Sequence, residues 1–308
     1  SENEFIETMC FCIQNPDKVH EIGNEAKKYA RENFSKENIT NELKKHQVDS
    51  CAFSIVHAHE IIEMGDHPTK AFVQKPKSSI AVGFGLLKQG KIDGFASAGN
   101  TGAMFVGGYM SVKPIPGILR PCISSVLPKL DGGVNVILDV GANADCKADV
   151  LYQFGVLGSL FAEHVCGVQT PRVGLLNIGE EESKGNMLTI AAHEMMKDST
   201  DFNFCGNIES RHLFDDECDV IVCDGFSGNV ILKQAESVYS LIKQRQIEDD
   251  YFDRFNYENY GGTPILGLTK PVIIGHGISN EIAIKNMILQ SKVVLQAKLT
   301  SKIMNTIE

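Results

Sequence analysis

A short glycine-bearing turn between a predicted strand and an apolar helix is the clearest candidate for an anion site. The turn is Ser97-Ala-Gly-Asn-Thr-Gly102, and the apolar stretch begins at Ala103. A helix start presents unpaired backbone N–H groups and a positive dipole end, which favour phosphate. A glycine turn required by steric crowding is the alternative. Because the pattern is neither Gly-x-Gly-x-x-Gly nor a Walker loop, no nucleotide is predicted. The candidate binding residues are Ser97, Gly99, Asn100, Thr101 and Gly102.

A second candidate turn, Asp139-Val-Gly-Ala-Asn-Ala-Asp145, follows another β-rich run. Asp139 and Asn143 are predicted to contact substrate. A metal site needs more oxygen ligands than this turn offers, so turn hydrogen bonds and helix caps are the favoured interpretation of Asn143 and Asp145. No metal is predicted.

The turn Gly179-Glu-Glu-Glu-Ser-Lys-Gly-Asn186 carries three acids and a lysine. Clustered acids are typical of a solvated face. Lys184 differs, because a lysine at the mouth of a crevice, held by the nearby carboxylates of this turn, can bind phosphate as a point charge or protonate a leaving thiolate.

Two further turns contribute polar candidates. In Asp224-Gly-Phe-Ser-Gly-Asn229 the spacing does not match Gly-x-Ser-x-Gly, so Ser227 is not predicted to be a nucleophile. Asp224 is a candidate binding residue. Asn229 either donates its amide to a carbonyl oxygen or caps a helix. His276 is either a polar core histidine or an acid/base lining the crevice.

The elements that position these turns follow a repeating order of strand, turn and helix. Continuous apolar runs indicate strands buried on both faces, hence an α/β fold with a doubly wound, mostly parallel sheet. Ligands bind beyond the carboxyl ends of such strands, so the five turns are predicted to meet at one crevice. The predicted strands are 53–57, 92–97, 134–139, 172–177, 219–224 and 271–275.

The two ends of the chain are predicted to be helical. Residues 1–50 read as an atypical, charged helical segment, and residues 51–308 as the α/β domain. Apolar residues at roughly helical spacing from Asn280 onward predict one or two packing helices.

Composition excludes several classes of protein. The 308 residues are 43% hydrophobic and 22% charged, which is ordinary for a globular chain. The net charge of −10 argues against nucleic acid as a partner. Nine scattered cysteines favour reduced thiols and a cytoplasmic location. No apolar run is long enough to span a bilayer.

Taken together, the order and spacing of seven motifs resemble the PlsX family of phosphate acyltransferases over residues 55–305. These motifs are Ser97-Ala-Gly-Asn-Thr-Gly-Ala103, Pro116-Gly-Ile-Leu-Arg-Pro121, Leu138-Asp-Val-Gly-Ala-Asn-Ala-Asp-Cys-Lys147, Val173-Gly-Leu-Leu-Asn-Ile-Gly-Glu-Glu181, Val222-Cys-Asp-Gly-Phe-Ser-Gly-Asn229, Tyr260-Gly-Gly262 and Gly275-His-Gly277.

The resemblance implies a fold like isocitrate and isopropylmalate dehydrogenases, a homodimer, and no cofactor. It implies transfer of a fatty acyl group from acyl carrier protein to inorganic phosphate, forming acyl phosphate for phospholipid synthesis. A downstream acyl phosphate:glycerol-3-phosphate acyltransferase is an implied partner, and membrane contact is at most peripheral. The family's important lysine and asparagine fall on Lys184 and Asn229.

Two alternatives remain beside this function. One is a phosphate acetyl- or butyryltransferase that uses a coenzyme A thioester. The other is a catalytically inactive scaffold of the same family, because the family's Asp-Ala-Met-Gly-Gly-Asp-like loop is not found in this sequence.

An acidic donor such as acyl carrier protein requires a local basic surface on a chain of net negative charge. The segment 113–147 contains Lys113, Arg120, Lys129 and Lys147. Some of these residues are predicted to face the mouth of the crevice, the alternative being scattered surface charges.

Overall fold

The computed structural model describes residues 54–307. The predicted helical segment 1–50 lies outside the described residues. The strands are β1 (Phe95–Ser97), β2 (Cys122–Pro128), β3 (Val134–Leu138), β4 (Arg172–Asn177), β5 (Asn203–Glu209), β6 (Val220–Val222), β7 (Gly262–Leu266) and β8 (Val272–Gly275). The helices are α1 (Pro68–Gln74), α2 (Ser79–Lys88), α3 (Thr101–Ser111), α4 (Ala148–His164), α5 (Met187–Met196), α6 (Gly225–Gln244), α7 (Asp250–Asp253), α8 (Glu281–Gln296) and α9 (Leu299–Ile307).

The eight strands form one sheet in the order β1-β8-β7-β2-β3-β6-β4-β5. Strands β3, β6, β4 and β5 are parallel to one another, and β1 is parallel to β8. The pairs β8–β7, β7–β2 and β2–β3 are antiparallel. The predicted α/β fold with a mostly parallel sheet is confirmed, with an antiparallel centre that the repeating pattern does not reveal.

Helices cover both faces of the sheet, as a doubly wound fold requires. Alternate residues of β3 point to opposite faces, so Val136 and Leu138 join one hydrophobic core while Ile137 joins the other. The first core contains Phe154 and Phe161 of α4, and the second contains Phe84 of α2. All of these aromatic side chains are buried.

Five of the six predicted strands are present, as β1, β3, β4, β6 and β8. The predicted strand 53–57 is wrong over its described part, because residues 54–57 form no ladder with a neighbouring strand. Strands β2, β5 and β7 were not predicted. Strand β2 contains the buried serines Ser124 and Ser125 and ends at Pro128, so its composition does not indicate a core strand.

The predicted helices after Asn280 are confirmed as α8 and α9, whose Met287, Val294 and Ile303 join the first core. None of the helices in the described part of the chain combines the length and apolar character that a bilayer crossing requires.

Candidate active site

A cavity of about 550 Å³, called the cleft cavity below, lies where four of the five predicted turns meet. The turn after β1 contributes Thr101, the turn after β3 contributes Gly141, helix α6 after β6 contributes Asn229, and the turn after β8 contributes His276. Most of the remaining lining is apolar. The prediction of a shared crevice is therefore right for four turns and wrong for the turn after β4, which lies beside a different hollow.

The N-terminus of α3 faces this cavity with free donors. Asn100 is the N-cap: its Oδ1 accepts from the Ala103 N–H at 2.9 Å. Within the described residues no acceptor contacts the N–H groups of Thr101 and Gly102, as expected for the first turn of a helix. These two donors and the dipole of α3 favour an anion at this end of the cavity.

The other predicted residues of this turn shape it rather than face the cavity. The Nδ2 of buried Asn100 donates to three carbonyl oxygens of the preceding loop, those of Glu63, Met64 and Asp66. The Ser97 Oγ accepts from the Gly99 N–H at 3.1 Å. A Cβ on Gly102 would lie 2.4 Å from the Cγ of Pro68, so this close approach requires glycine. Substrate contact by Ser97, Gly99 and Asn100 stays a prediction.

The turn after β3 is organised around Asp139, whose side chain is fully buried. One carboxylate oxygen accepts from the N–H groups of Ile123, Gly141 and Ala142, and the other accepts from the backbone and side chain of Asn143. Five donors on one carboxylate fix the path of the turn. Both residues position the turn, and their contact with substrate stays a prediction.

Asn229 lies one turn into α6 and against the turn after β3. Its Nδ2 donates to the Val140 carbonyl at 3.0 Å, and the site of a Cβ on Gly141 is 3.0 Å from the same nitrogen. Asp224, rather than Asn229, caps α6 by accepting from the Ser227 N–H. The capping interpretation of Asn229 is therefore wrong. One of its two amide hydrogens remains available to the cavity.

His276 lines the cavity, half-buried, with its ring 4.9 Å from that of Tyr257. Its Nδ1 accepts from the Ile278 N–H at 3.4 Å, and its Nε2 lies 3.7 Å from a Glu236 carboxylate oxygen. Burial lowers the pKa of His276, Glu236 raises it and Lys233 lowers it, with a net decrease. Because Nδ1 accepts from Ile278, a neutral ring would carry its proton on Nε2, the nitrogen nearer Glu236.

Lys184 is exposed and is not part of the cleft cavity lining. Its turn borders a separate hollow of about 540 Å³, called the edge hollow below, together with Asp224 and Phe226 of the α6 start. The predicted side-chain contacts between Lys184 and the acids of its turn are not present: within the described residues no carboxylate lies within ion-pair distance of its ammonium. Its catalytic role stays a prediction.

Sequence reasoning did not single out three cavity residues that the fold places beside His276. Lys233 and Glu236 lie on α6 one and two turns beyond Asn229, and Tyr260 precedes β7. The helical spacing of Asn229, Lys233 and Glu236 is the signal that could have found the first two. The motif Tyr260-Gly-Gly262 was recognised without a role for its tyrosine.

The predicted basic surface over 113–147 is not a single patch. Lys129 is buried, and its ammonium lies 2.7 Å from carboxylate oxygens of Asp216 and Asp219. Lys113 follows the C-terminal end of α3, the end opposite the cleft cavity. Exposed Lys233 is the lysine that lines the cavity. The expectation that Lys129 faces the mouth of the crevice is wrong, because its side chain is buried and its ammonium forms ion pairs with two carboxylates.

Metal-ligating side chains do not converge on the cleft cavity. Within residues 54–307, His212, Asp215 and Glu217 form the single group of three within reach of one ion. The His212 Nδ1 lies 2.8 Å from Asp215 and 3.2 Å from Glu217, which an ion pair explains. Six cysteines in this part of the chain are unpaired thiols, including Cys166 and Cys205.

The fold is that of the phosphotransacetylases. The structure resembles EutD phosphotransacetylase from Staphylococcus aureus with a TM-score of 0.54 and 14% identity, covering 84% of each chain. A phosphotransacetylase from Streptococcus pyogenes gives a TM-score of 0.54 and 18% identity, over 85% of this chain and 84% of that one. The class defined by fold and cavity is thus an α/β protein in which the start of helix α3 borders a mostly apolar cavity.

The sequence comparisons define the family. The model of a family described as "Fatty acid synthesis protein" matches residues 34–302. The phosphate acyltransferase from Halothermothrix orenii is 42% identical, over 82% of this chain and 82% of the relative. The one from Desulforamulus reducens is 44% identical, over 83% of this chain and 81% of the relative. The protein of that name from Clostridioides difficile is 42% identical, over 83% of this chain and 80% of its own. The chain belongs to this family of acyltransferases.

Proposed function

We propose that the chain transfers a fatty acyl group from a thioester of acyl carrier protein to inorganic phosphate, giving acyl phosphate and free thiol. One observation carries the proposal: the start of α3, where the N–H groups of Thr101 and Gly102 have no acceptor among residues 54–307, borders a mostly apolar cavity through Thr101. The name shared by the relatives agrees with acyl transfer to phosphate.

The reaction needs no covalent enzyme intermediate. A phosphate oxygen, held at the start of α3, attacks the thioester carbonyl carbon, and the C–S bond then breaks to release the thiolate. The second amide hydrogen of Asn229 is suited to donate to the oxyanion, because its first is held by the Val140 carbonyl. Fixed donors and a positioned nucleophile supply most of the rate.

Lys184 is proposed to act on phosphate or on the leaving thiolate. The Asn177 Nδ2 donates to the Lys184 carbonyl at 3.1 Å, and the Asn207 Nδ2 donates to the Glu181 carbonyl at 2.9 Å, so the backbone of the turn is fixed. A free ammonium on an anchored backbone is suited to bind an anion as a point charge.

The size of the cleft cavity favours a fatty acyl group over acetyl. The cavity follows β2 from Ile123, whose N–H donates to Asp139, to Pro128. At roughly 3.3 Å per residue, this strip is about 17 Å long. An acetyl group would leave most of it empty, which disfavours the phosphate acetyltransferase alternative.

The proposal also covers the protein's partners and its location in the cell. Lys233, at the cavity and without a carboxylate in ion-pair distance among residues 54–307, is the proposed contact for an acidic carrier protein. A homodimer in the cytoplasm, with at most peripheral membrane contact, is proposed. Its acyl phosphate would pass to an acyl phosphate:glycerol-3-phosphate acyltransferase.

The test measures acyl phosphate formed from palmitoyl acyl carrier protein and inorganic phosphate. We expect turnover by the unaltered chain and a decrease of about 100-fold or more in kcat for Asn229→Ala, since one positioned donor is lost. Asn305→Ala, on the exposed face of α9, is the matched control and should retain full turnover.

Three outcomes discriminate the alternatives. Preference for acetyl coenzyme A over the carrier thioester would favour the phosphate acetyltransferase. Binding of the carrier without turnover would favour the inactive scaffold. Full turnover by Asn229→Ala would remove that residue from the mechanism and leave the reaction in place.

A further inference from the structure

The sheet contains a gap between β2 and β7, next to the cleft cavity. The two strands are paired only at Cys122 and Ile123 of β2. Beyond these residues β2 continues to pair with β3, whereas Gly262 to Pro264 of β7 pair with β8. The Ser124 hydroxyl, 3.4 Å from the Pro264 carbonyl, marks the narrow end of the gap.

A smaller space of about 160 Å³, called the rear pocket below, lies against the same gap. The residues that line both spaces are Ser125, Val126, Tyr260, Gly262 and Thr263. The far wall of the rear pocket consists of Phe161 and the residues that follow α4, Val165 and Cys166. The cleft cavity and the rear pocket therefore adjoin each other through the sheet.

Tyr260 stands at this junction on a fixed backbone. Its carbonyl accepts from the Gly262 N–H at 2.8 Å. Gly261 has a φ of 72°, and a Cβ there would lie 2.1 Å from the Met287 nitrogen. The backbone after Tyr260 therefore packs directly against α8, and the tyrosine side chain stands between the two spaces.

The chemistry of the rear pocket suits a hydrocarbon. Phe161 and Val165 present apolar surface, and burial raises the pKa of the Cys166 thiol to about 12, so that it is neutral near pH 7. A neutral, half-buried cysteine presents a small apolar side chain to the pocket. Among residues 54–307, no lysine, arginine, aspartate or glutamate lines this pocket, whose polar side chains are uncharged: Ser124, Ser125, Tyr260, Thr263 and Gln290.

We propose that the methyl end of a long acyl chain passes Tyr260 through the gap between β2 and β7 and enters the rear pocket. Tyr260 and Cys166 then determine which acyl chain lengths the protein accepts. This assignment rests on the acyl transfer proposed above. The reacting carbonyl stays near Thr101 and Asn229, and the chain follows β2 away from them.

The expected size of the change in chain-length selection follows from the burial of methylene groups. Each CH₂ group that leaves water contributes about a fourfold increase in affinity. A side chain that excludes two such groups from the rear pocket should reduce selection for a long chain by about tenfold or more.

The experiment compares palmitoyl and octanoyl thioesters of acyl carrier protein with saturating inorganic phosphate. The readout is the ratio of kcat/KM for the long donor to that for the short donor. For Cys166→Phe, which fills the rear pocket, we expect this ratio to fall about tenfold or more. Cys205→Phe, at an exposed position of β5 outside both spaces, is the matched control and should retain the ratio of the unaltered chain.

A second variant covers the case in which Cys166→Phe does not fold. Tyr260→Ala widens the passage and should raise the ratio. An unaltered ratio in a folded Cys166→Phe protein, or in Tyr260→Ala where the first variant is unfolded, would overturn the tail assignment alone. Failure of the unaltered chain to form acyl phosphate from either donor would instead contradict the proposed function, and the tail assignment with it.

Discussion

The turns after β3 and β4 belong to the same parallel block of strands but are built from opposite chemistry. In the turn after β3, the buried Asp139 carboxylate accepts from backbone N–H groups. In the turn after β4, the Asn177 and Asn207 amides donate to backbone carbonyls. The negative charge of Asp139 is thus satisfied by the backbone of its own turn, whereas the positive charge of Lys184 stays exposed.

The two turns therefore differ in role: the turn after β3 positions neighbouring groups, whereas the turn after β4 exposes a charged side chain. The turn after β3 and the Asn229 side chain that it holds line the cleft cavity, while the turn after β4 borders the edge hollow and exposes the cation of Lys184. A residue of the first turn should therefore matter to folding and activity together. A side chain of the second turn should matter to activity with little effect on folding.

The largest expected effect is that of Asp139→Asn, which keeps the shape of the side chain but removes its charge. The new amide nitrogen would face N–H groups that now lack an acceptor, so we expect a loss of at least about 3 kcal/mol in the free energy of unfolding. Urea unfolding measures it. Asp145→Asn, in the same turn with an exposed side chain, should have almost no effect. Equal stability of the two variants would break the comparison.

The second effect is that of Lys184→Ala on catalysis. We expect acyl phosphate formation to fall by about 100-fold, equivalent to about 2.7 kcal/mol of transition-state stabilisation. The urea midpoint should remain that of the unaltered chain, because the anchors of this turn are backbone contacts. Lys88→Ala, exposed at the end of α2, is the control. A change in stability without a change in turnover would reverse the role assigned to the turn.

The smallest expected effect is a pH dependence of stability that comes from Asp219. This residue lies where β4 and β6 begin, at the ends opposite to the turns. Burial raises the pKa of Asp219, but hydrogen bonds from Arg172 at the start of β4 and from Lys129 outweigh it, so the net pKa is lowered from its ordinary value of 3.8. Because the pKa of Asp219 is lower in the folded chain than in the unfolded chain, its ion pairs contribute fully to the free energy of unfolding above about pH 4. The contribution is lost as the pH falls below that value. The loss should approach on the order of 1 kcal/mol per pH unit.

The measurement is the free energy of unfolding by urea between neutral pH and about pH 3. Asp219→Asn should be less stable than the unaltered chain at neutral pH, and the difference should shrink as the pH falls. Asp198→Asn, exposed beyond α5, should give a difference that does not depend on pH in this way. A constant difference for Asp219→Asn would show that the ion pairs do not respond to acid.

The local elements were largely predictable from the sequence. Runs such as Val134–Leu138 and Arg172–Asn177 are apolar and continuous because helices cover both faces of these strands. Strand β2 escaped prediction because its polar Ser124 and Ser125 are buried, and their pairing with β3 is not visible in the sequence. Helix α3 followed from local pattern alone, whereas its N-cap at Asn100 was not predicted.

The grouping of the turns was not predictable, because it depends on strand order and direction. The block containing β1 and β8 runs opposite to the block containing β3 and β6, so strand direction alone would place their turns at opposite edges of the sheet. Turns of both blocks nevertheless line the cleft cavity. Lys129 illustrates the same limit. Its sequence neighbours suggest an exposed charge, whereas its partners Asp216 and Asp219 are distant in the chain.

The apolar lining of the cleft cavity has a consequence for the product. An acyl phosphate is a mixed anhydride, and water destroys it. On the proposed function, an alkyl chain held along β2 would place the carbonyl carbon near α3 and Asn229, beside apolar walls that exclude water. The walls that hold the donor before reaction would then also protect the labile product, and its lifetime would depend on how slowly it leaves.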